Sequence, residues 1–434
     1  MAKKTSIYIC NNCAYESGKW MGQCPNCKEY GVFSETVSLP KVMEYNQNVV
    51  VHSLADINNS QIQRIPTGLS ELDRVLGGGL VEAEVVLVSG DPGIGKSTLL
   101  LQLAANLDSM GKKAVYVSAE ESVGQIGLRA SRVVKSQNSK LSIVSAFEVD
   151  SILNKVSADK PDLLIMDSIQ TLYSQDNSSL PGSIAQIRTV ASKLVTYAKE
   201  TGVAVVIVGH ITKQGTVAGP KLLEHLVDAV LQFEGDEKHG FRILRSLKNR
   251  FGSTNEIGIF EMTENGMHDV ADPSKFFLDS DSAPRVGVCP AVVLEGNRAI
   301  VIEVQALIVN TPFSLPKRVA EGISKSKLEL LAAIITKYGK VDLGTKDIYV
   351  NIAGGMRIKD TAIDLAVVLA IVSSLKNKPI KKRVVAFGEV SLTGEVRKTI
   401  RHELRQSELK RLGYTNFLKE TNGSNHISAL FSSI

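Results

Sequence analysis

The segment between Val85 and Met110 restricts the fold of this chain more than any other. A β-branched run, Val85 to Ser89, is followed by the loop Gly90 to Ser97, with the sequence GDPGIGKS, and then by an amphipathic segment. The loop matches G-x4-G-K-[ST] in full, in the strand, loop and helix setting that this pattern needs. Its glycines let backbone N–H groups surround phosphate oxygens, and the start of the helix favours negative charge. The segment therefore predicts a nucleotide phosphate site.

The side chains of the loop have distinct predicted roles. Lys96 is expected to reach the β and γ phosphates, and the hydroxyl of Ser97 is expected to ligate Mg²⁺. The sequence lacks an N-K-x-D motif for guanine, so ATP is favoured over GTP. The predicted nucleotide-binding residues are Gly90, Asp91, Pro92, Gly93, Ile94, Gly95, Lys96, Ser97 and Thr98.

Acidic residues follow two further apolar runs. Leu163 to Met166 leads into Asp167, which is predicted to hold the magnesium ion through its water shell. Glu120 and Glu121 follow the run Ala114 to Ser118, which we expect to lie beside the strand of the loop. Hydrolysis needs a group that activates water, and one of these two glutamates is predicted to be that base. The spacing alone leaves open which one.

Four of the five cysteines form two close pairs, Cys10-x2-Cys13 and Cys24-x2-Cys27. Two such pairs predict a structural zinc site with four thiolates. The alternative interpretation, a thioredoxin-like redox pair, needs a single CxxC beside a βαβ unit, and the sequence shows no such unit here. Three aromatic residues are expected to pack over the site: Tyr15, Trp20 and Tyr30.

Charge is unevenly distributed along the 434 residues. The formal net charge is +5, yet residues 286–434 contain 22 Lys and Arg against 13 Asp and Glu. A basic C-terminal block is compatible with a polyanionic partner, although it can also be a solvated surface. The sequence shows no signal peptide and no apolar run long enough to span a bilayer. We therefore expect a cytoplasmic protein without a membrane partner.

Several segments together resemble a known family. Thr67 to Leu80, with the sequence TGLSELDRVLGGGL, and the phosphate loop resemble the RecA superfamily of ring-forming and filament-forming ATPases. The four-cysteine head and Lys248 to Gly252, with the sequence KNRFG, narrow the resemblance to the bacterial RadA (Sms) family of DNA-repair proteins. The resemblance extends over essentially the whole chain.

The resemblance implies roles for residues beyond the loop. It makes Glu120 the catalytic base and His210 a sensor of the γ phosphate, and it places a mobile DNA-binding loop at 212–220, with Lys213 in it and Lys221 after it. It also implies that Lys248 and Arg250 point towards the nucleotide of a neighbouring subunit. A cation supplied in this way stabilises charge on the transferring phosphate. The expected assembly is a hexameric ring.

The activity implied by the resemblance is a DNA-stimulated ATPase of DNA repair and homologous recombination. It would move along single-stranded and branched DNA and promote branch migration with a RecA-type recombinase, using ATP, Mg²⁺ and Zn²⁺. Three alternatives remain open: an ATPase switch that regulates protein partners, an ATP-dependent protease, and a DNA-binding scaffold with a degenerate nucleotide site.

The C-terminal block resembles the proteolytic domain of Lon protease, through Gly354 to Asp360 and Phe387 to Gly394. That enzyme uses a serine activated by a lysine. Here Ala362 is the counterpart of the serine, His402 to Leu404 lie around the lysine position, and Thr361 with Lys398 is a remote alternative pair. We expect no peptidase activity, and instead a scaffold whose basic residues could hold duplex DNA: Lys381, Lys382, Arg383, Arg397, Lys398 and Arg401.

The predicted fold class is α/β, and the resemblance divides the chain into five parts. One sequence departure precedes the loop strand, where Glu82, Ala83 and Glu84 occupy a turn that commonly contains glycine in the family. The predicted parts are a four-cysteine zinc finger at 1–32, a linker at 33–60, a RecA-like ATPase domain at 61–271, a linker at 272–285 and a Lon-protease-like domain at 286–434.

Overall fold

The computed structural model forms two compact units, Met1–Asp269 and Val270–Ile434. Among its described helices, none is long and apolar enough to cross a lipid bilayer. The structure describes residues 5–10, 12–13, 15–38, 63–134, 139–210, 223–235, 241–278, 283–353, 357–381, 384–414, 416–418 and 426–431.

The cysteine-rich head is a small antiparallel sheet of β1 (Thr5–Cys10), β2 (Glu16–Ser17) and β3 (Phe33–Ser38), in the order β2-β1-β3. β3 pairs with β1 at six positions, from Thr5 opposite Ser38 to Cys10 opposite Phe33. The sheet therefore continues beyond residue 32, the predicted end of the zinc finger, into the predicted linker. The reason is that the backbone of β3 satisfies the edge of β1, which would otherwise remain unpaired.

A nine-stranded sheet forms the centre of the first unit, in the order β14-β13-β12-β11-β6-β10-β9-β7-β8. The strands from β11 to β8 in this order are parallel, and β12, β13 and β14 are added antiparallel. The prediction of a mostly parallel sheet is confirmed. Its strands are β6 (Val85–Gly90), β7 (Ala114–Ser118), β8 (Ser142–Ser145), β9 (Leu163–Asp167), β10 (Ala204–His210), β11 (Ala229–Gly235), β12 (Phe241–Asn249), β13 (Ile257–Thr263) and β14 (Gly266–Asp269). A separate pair is formed by β4 (Arg64–Ile65) and β5 (Leu80–Val81).

Two apolar clusters cover the two faces of this sheet, because alternate residues of each strand point to opposite faces. One cluster joins the sheet to α1 (Ser70–Leu76), α2 (Lys96–Ser109) and α3 (Val123–Val133). The other joins it to α4 (Val149–Asp159) and α5 (Ile184–Thr201). Burial on both faces explains the continuous apolar runs of the central strands.

The position of β7 differs from the sequence-based expectation. The pattern predicts β7 beside the loop strand β6, whereas β10 and β9 lie between them. The loop after β7 is nevertheless held at the same edge of the sheet. Ser118 pairs with Asp167, and the N–H of Ala119 donates to the carbonyl of Asp167 at 2.7 Å. These contacts with the end of β9 hold Glu120, the next residue, at the edge of the sheet where the phosphate loop lies.

The turn before β6 has a backbone conformation that favours glycine. Ala83 has a φ of +59°, in the left-handed region that costs a residue with a Cβ about 1–2 kcal/mol. The Glu82-Ala83-Glu84 turn thus adopts a left-handed conformation at a residue that carries a Cβ.

The second unit is built on a six-stranded mixed sheet in the order β17-β18-β16-β15-β19-β22, which the buried α8 (Asp364–Lys376) covers. It begins before residue 286, because α6 (Ser274–Phe277) lies within the predicted linker and Ser274 accepts a hydrogen bond from the N–H of Val301. The other elements are β15 (Val288–Glu295), β16 (Arg298–Asn310), β17 (Arg318–Glu321), α7 (Lys325–Gly339), β18 (Lys346–Ile352), β19 (Val384–Ala386), β20 (Glu389–Val390), β21 (Val396–Arg397), α9 (His402–Arg411), β22 (Asn416–Leu418) and α10 (Ile427–Leu430).

Candidate nucleotide and metal sites

The phosphate loop connects the end of β6 to the start of α2 at Lys96, as the motif requires. Glycine is favoured at two of its positions, by lack of space at Gly90 and by the backbone conformation at Gly95. A Cβ on Gly90 would lie 2.8 Å from the carbonyl oxygen of Phe233, and one on Gly95 would lie 2.3 Å from Cε of Met267. Gly95 also has a φ of +111°. The loop is therefore packed closely against neighbouring strands and is held in a shape that exposes backbone N–H groups.

Lys96 is buried within the loop that it is predicted to serve. Its Nζ donates to the carbonyl oxygens of Gly90 and Asp91, both at 2.9 Å. Burial lowers the pKa of Lys96, and the charges of Asp167, Glu120 and Asp91 oppose that shift. Phosphate oxygens are stronger acceptors than these carbonyls because they are charged, so a bound nucleotide can take over the bonds of the ammonium group.

Arg242 braces the loop from the side, and the sequence analysis missed it. It is buried on β12, and its Nε donates to the carbonyl of Ile94 at 3.0 Å. Gly235 makes room for it, because a Cβ there would lie 2.7 Å from Cδ of Arg242. No local motif could have revealed this contact, since the two partners are 148 residues apart.

Asp167 lies at the end of β9, where its side chain is buried and close enough to Lys96 to act on its pKa. Tyr116 of β7 donates its hydroxyl to Oδ2 of Asp167. Among the described residues, Oδ1 accepts no hydrogen bond. An acid that offers one oxygen at the nucleotide edge, together with the hydroxyl residue Ser97 at the start of α2, fits a hard cation such as Mg²⁺.

Glu120 is held by two donors on a single oxygen. Its Oε1 accepts from the hydroxyl of Ser168 and lies 3.0 Å from Nε2 of His210. The pKa of Glu120 is lowered, chiefly by the bond with His210, with burial opposing and Ser168 and Lys96 contributing. The carboxylate is therefore ionised at neutral pH, as a proton acceptor must be. Sequence analysis missed Ser168, although a hydroxyl directly after Asp167 was a visible signal.

Glu121 points to a different partner. Its carboxylate forms an ion pair with Arg129 on α3, and its N–H donates to the hydroxyl of Ser118 at 3.0 Å. The two adjacent glutamates thus separate. Of the two, the geometry favours Glu120 for the role of base.

His210 ends β10 and pairs with Gly90 in the parallel ladder, so its backbone lies beside the start of the phosphate loop. Its Nδ1 is buried and has no hydrogen-bond partner among the described residues. The side chain therefore contacts the predicted base with one nitrogen and keeps the other unused by the protein groups that the structure describes.

The two cations of the KNRFG segment are engaged within their own chain. Nζ of Lys248 donates to the carbonyls of Glu224 and Val227, at 2.6 and 2.8 Å. Burial lowers the pKa of Lys248, and the charge of Arg250 adds to that shift. Arg250 is 52% exposed in its side chain and pairs with Asp228 at 3.0 Å.

Strand register places these cations away from the loop of the same chain. On β11, Val230 pairs with both Lys248 and Leu87, whereas Phe233 pairs with Gly90. Three residues of strand correspond to roughly 10 Å. Because β12 is antiparallel, the chain after Lys248 continues towards the opposite edge of the sheet. The structure therefore does not bring Lys248 or Arg250 together with Lys96.

The predicted DNA-binding loop at 212–220, with Lys213, and Lys221 lie outside the described residues.

The four cysteines of the head converge on one point. The Sγ atoms of Cys10, Cys13, Cys24 and Cys27 all lie within 4.8 Å of one another, and none forms a disulfide. Tetrahedral zinc with bonds of about 2.3 Å needs sulfurs roughly 3.8 Å apart, so this arrangement fits a metal such as zinc. Burial raises the pKa of Cys24, but hydrogen bonds from the backbone of Cys27 and Asn26, together with those of the Cys13 and Cys10 thiols, outweigh it and lower the value to about 7.

The aromatic residues of the head do not cover the site. Trp20 is 61% exposed and Tyr30 is 73% exposed, and Tyr15 is also exposed. The prediction that these three rings pack over the cysteines is therefore wrong. Because a metal ion can itself hold so small a domain together, the rings are not needed as a core.

In the second unit, the residues aligned with the serine and lysine of Lon protease do not form a catalytic pair. Ala362 is fully buried and has no nucleophilic atom. Thr361 donates to Glu389 at 3.2 Å, and no hydrogen bond among the described residues joins it to Lys398. His402 begins α9 with its ring 5.0 Å from that of Phe387.

The basic residues predicted to hold duplex DNA are exposed where the structure describes them, at Lys381, Arg397, Lys398 and Arg401. Lys382 and Arg383 lie outside the described residues, as do 354–356 of the first segment that resembles Lon protease.

Three family models match the chain. Residues 65–270 match the KaiC ATPase model, residues 8–35 match a rubredoxin metal binding domain, and residues 306–419 match subunit ChlI of Mg-chelatase. The first match covers the nine-stranded sheet with its phosphate loop. Sheet, loop and match together define the chain as a RecA-type ATPase with a KaiC-like domain and a metal-binding ribbon.

Curated relatives narrow the class further. A DNA repair protein RadA of Halalkalibacterium halodurans is 44% identical over 95% of this chain and 92% of its own length. The protein of the same name from Bacillus subtilis is 44% identical over 96% of this chain and 93% of its own. The chain therefore belongs to the RadA family of DNA repair proteins. Among solved structures, a KaiC-like protein of Pyrococcus horikoshii is 23% identical, with 48% of this chain and 100% of that chain covered and a TM-score of 0.40.

Proposed function

We propose that this chain is a DNA-stimulated ATPase that acts in repair and homologous recombination, moves along single-stranded and branched DNA, and promotes branch migration with a RecA-type recombinase. The observation that carries the ATPase part is the ionised Glu120, held on one oxygen by Ser168 and His210 beside the phosphate loop. A carboxylate so oriented offers its second oxygen to a water molecule.

In the proposed reaction, Lys96 exchanges its loop carbonyls for the β and γ phosphate oxygens. Glu120 takes a proton from the attacking water, and His210, which contacts the same carboxylate, links the base to the state of the γ phosphate. Ser97 and Asp167 would hold Mg²⁺, which when bound neutralises charge on the phosphates. These groups come from one chain.

The remaining cations are proposed to come from a neighbouring chain. Lys248 and Arg250 lie roughly 10 Å or more along the sheet from their own loop, so they suit a nucleotide bound by another subunit. The guanidinium group of Arg250 is exposed, so it can exchange its ion pair with Asp228 for an ion pair with phosphate. We therefore propose a closed homo-oligomer, a hexameric ring, with each nucleotide at a subunit boundary.

The DNA part of the proposal rests on the family and on charge. The relatives are named DNA repair proteins, and residues 286–434 carry the chain's excess of basic residues. Phosphate contacts from exposed lysine and arginine favour backbone binding without base reading. We also propose a cytoplasmic location. A peptidase role is not supported, since Ala362 stands at the predicted nucleophile position.

The proposal is tested by measuring ATP turnover without DNA, with a single-stranded oligonucleotide and with a four-way junction, and by following branch migration of that junction beside a recombinase. We expect both DNAs to raise turnover and Lys96→Ala to abolish it. Turnover that is indifferent to both DNAs, in protein that binds them, would refute DNA stimulation. Turnover that survives Lys96→Ala would refute the site.

A further inference from the structure

Tyr116 places a hydroxyl group among the apolar residues of β7, beside the strand that carries Asp167. All five residues of β7 are buried, and Tyr116 itself is 1% exposed. Its ring packs in the cluster that joins the sheet to α2. Phenylalanine would fill the same space without a hydroxyl that has to be removed from water, which costs free energy unless the hydroxyl finds a partner.

The partner of this hydroxyl is Asp167. The phenol donates to Oδ2 of Asp167, across the β7 and β9 pair, and the register of the pair sets Ser118 opposite Asp167. Burial and the charge of Asp167 raise the pKa of Tyr116 well above its ordinary value, so the phenol remains a donor. Arg129 and Glu121 act on it from α3 and the preceding loop with opposite signs.

A hydrogen bond on one carboxylate oxygen determines the orientation of the other. The carboxylate of an aspartate rotates about its last side-chain bond, over a broad range of angles. With Oδ2 held from β7, rotation is restricted and Oδ1 keeps a single direction at the nucleotide edge of the sheet. Groups that orient a metal-holding carboxylate in this way typically account for about 10–100-fold in metal affinity.

We propose that Tyr116 is a positioning residue for the magnesium ion of the nucleotide, acting through the Asp167 carboxylate that its hydroxyl holds. This inference rests on the proposed role of Asp167. It assigns to the phenol a function in metal affinity that packing alone does not require.

The test compares Tyr116→Phe with wild type in the binding of a fluorescent ADP analogue, measured in EDTA and at increasing Mg²⁺ concentration. We expect binding in EDTA to be unchanged and the half-saturating Mg²⁺ concentration to rise about tenfold. Tyr197→Phe is the matched control, because it removes a buried phenol hydroxyl from α5, in the other core cluster, and should leave both quantities unchanged.

Melting temperatures of both variants show whether each is folded. If Tyr116→Phe weakens binding equally with and without Mg²⁺, or lowers only the melting temperature, the hydroxyl serves packing and the inference is overturned. An unchanged half-saturating Mg²⁺ concentration overturns it as well.

Asp167→Asn separates this inference from the proposed site. If that variant keeps the wild-type Mg²⁺ dependence, the role of Asp167 and the inference both fail. If it loses Mg²⁺ dependence while Tyr116→Phe does not, only the inference fails. Adding Tyr116→Phe to Asp167→Asn should change nothing further, because the two residues act as one unit.

Discussion

The carboxylates at the nucleotide site of the first unit and two carboxylates inside the second unit have opposite kinds of partner. In the first unit, Glu120 and Asp167 accept hydrogen bonds from hydroxyl and imidazole groups, each on one oxygen. In the second unit, Asp364 is fully buried and forms an ion pair with Lys327 at 2.8 Å, and Asp360 forms another with a buried arginine at 2.7 Å. The first arrangement leaves charge and an acceptor for a ligand, whereas the second balances the charge of each carboxylate with a cation of the protein.

The difference separates a reactive site from a structural one. A carboxylate oriented by donors that keep it ionised is ready for a metal or a proton, whereas a carboxylate neutralised by a fixed cation mainly specifies packing. By this criterion the chemistry of the chain resides in Met1–Asp269. The following predictions test that criterion, from the largest expected effect to the smallest.

Two single substitutions, one at each of the adjacent glutamates, distinguish the predicted base from its neighbour. Glu120→Gln should lower ATP turnover by about 10²–10⁴-fold, because it removes the base, while nucleotide binding persists. Glu121→Gln is the matched control and should retain most of the turnover, since its carboxylate serves Arg129. Steady-state turnover and nucleotide binding check both variants. The reverse ranking would contradict the assignment.

Removing one partner of a buried ion pair in the second unit should lower the stability of the chain and not its ATP turnover. Arg405→Met leaves Asp360 without its cation, and we expect the free energy of unfolding to fall by about 3–5 kcal/mol. Arg401→Met, at an exposed position four residues earlier, should have little effect. Denaturant unfolding of the full chain measures both. Equal stability of the two variants would show that the buried pair is unimportant.

Glu84 is a buried acid outside the nucleotide site, and its titration should make the stability of the chain depend on pH. Burial and the charge of Asp228 raise its pKa from 4.5 to about 7, although Val81 donates to it. Between these values the folded chain holds a proton that the unfolded chain releases. The free energy of unfolding should therefore fall by about 3 kcal/mol as pH rises from about 4.5 to about 7.

Glu84→Gln should reduce this pH dependence by the share that Glu84 contributes, while the exposed Glu82→Gln should preserve it. Denaturant unfolding of the three proteins at several pH values between about 5 and about 8 measures the slopes. A slope in Glu84→Gln that equals the wild-type slope would rule out Glu84 as its source.

The smallest expected effect concerns the left-handed turn. Ala83→Gly should raise the free energy of unfolding by about 0.5–1 kcal/mol, because glycine adopts the φ of +59° without steric cost. Ala130→Gly, inside α3, should have the opposite sign and about the same size. A fall in stability for Ala83→Gly would mean that its methyl group contributes packing that outweighs the strain.

Local features of the site were predictable from the sequence, and contacts between distant segments were not. The loop from Gly90 to Ser97 is one contiguous motif, so its strand, turn and helix followed from spacing. The placement of β10 and β9 between β6 and β7 depends on crossover connections that no local pattern encodes. The contacts of Tyr116 with Asp167 and of Arg242 with Ile94 arise only once those strands are assembled.

The KNRFG segment illustrates the same limit. Its family resemblance predicted a role towards a neighbour, whereas the sequence could not reveal that Lys248 rests on the carbonyls of Glu224 and Val227. Next to Lys248, the pairing of β12 with β11 shifts register between Val230 and Leu231. Irregularities of this kind are set by packing and are invisible in the strand pattern.

The most direct test of the account is ATP turnover in mixed assemblies of Lys96→Ala and Lys248→Ala, expressed together with different tags and purified by both. If Lys248 serves the neighbouring site, random mixing at equal amounts restores complete sites at roughly a quarter of the subunit boundaries, and turnover recovers accordingly. Melting temperatures confirm that each variant is folded. Turnover no higher than the average of the two variants alone would contradict a nucleotide site shared between subunits.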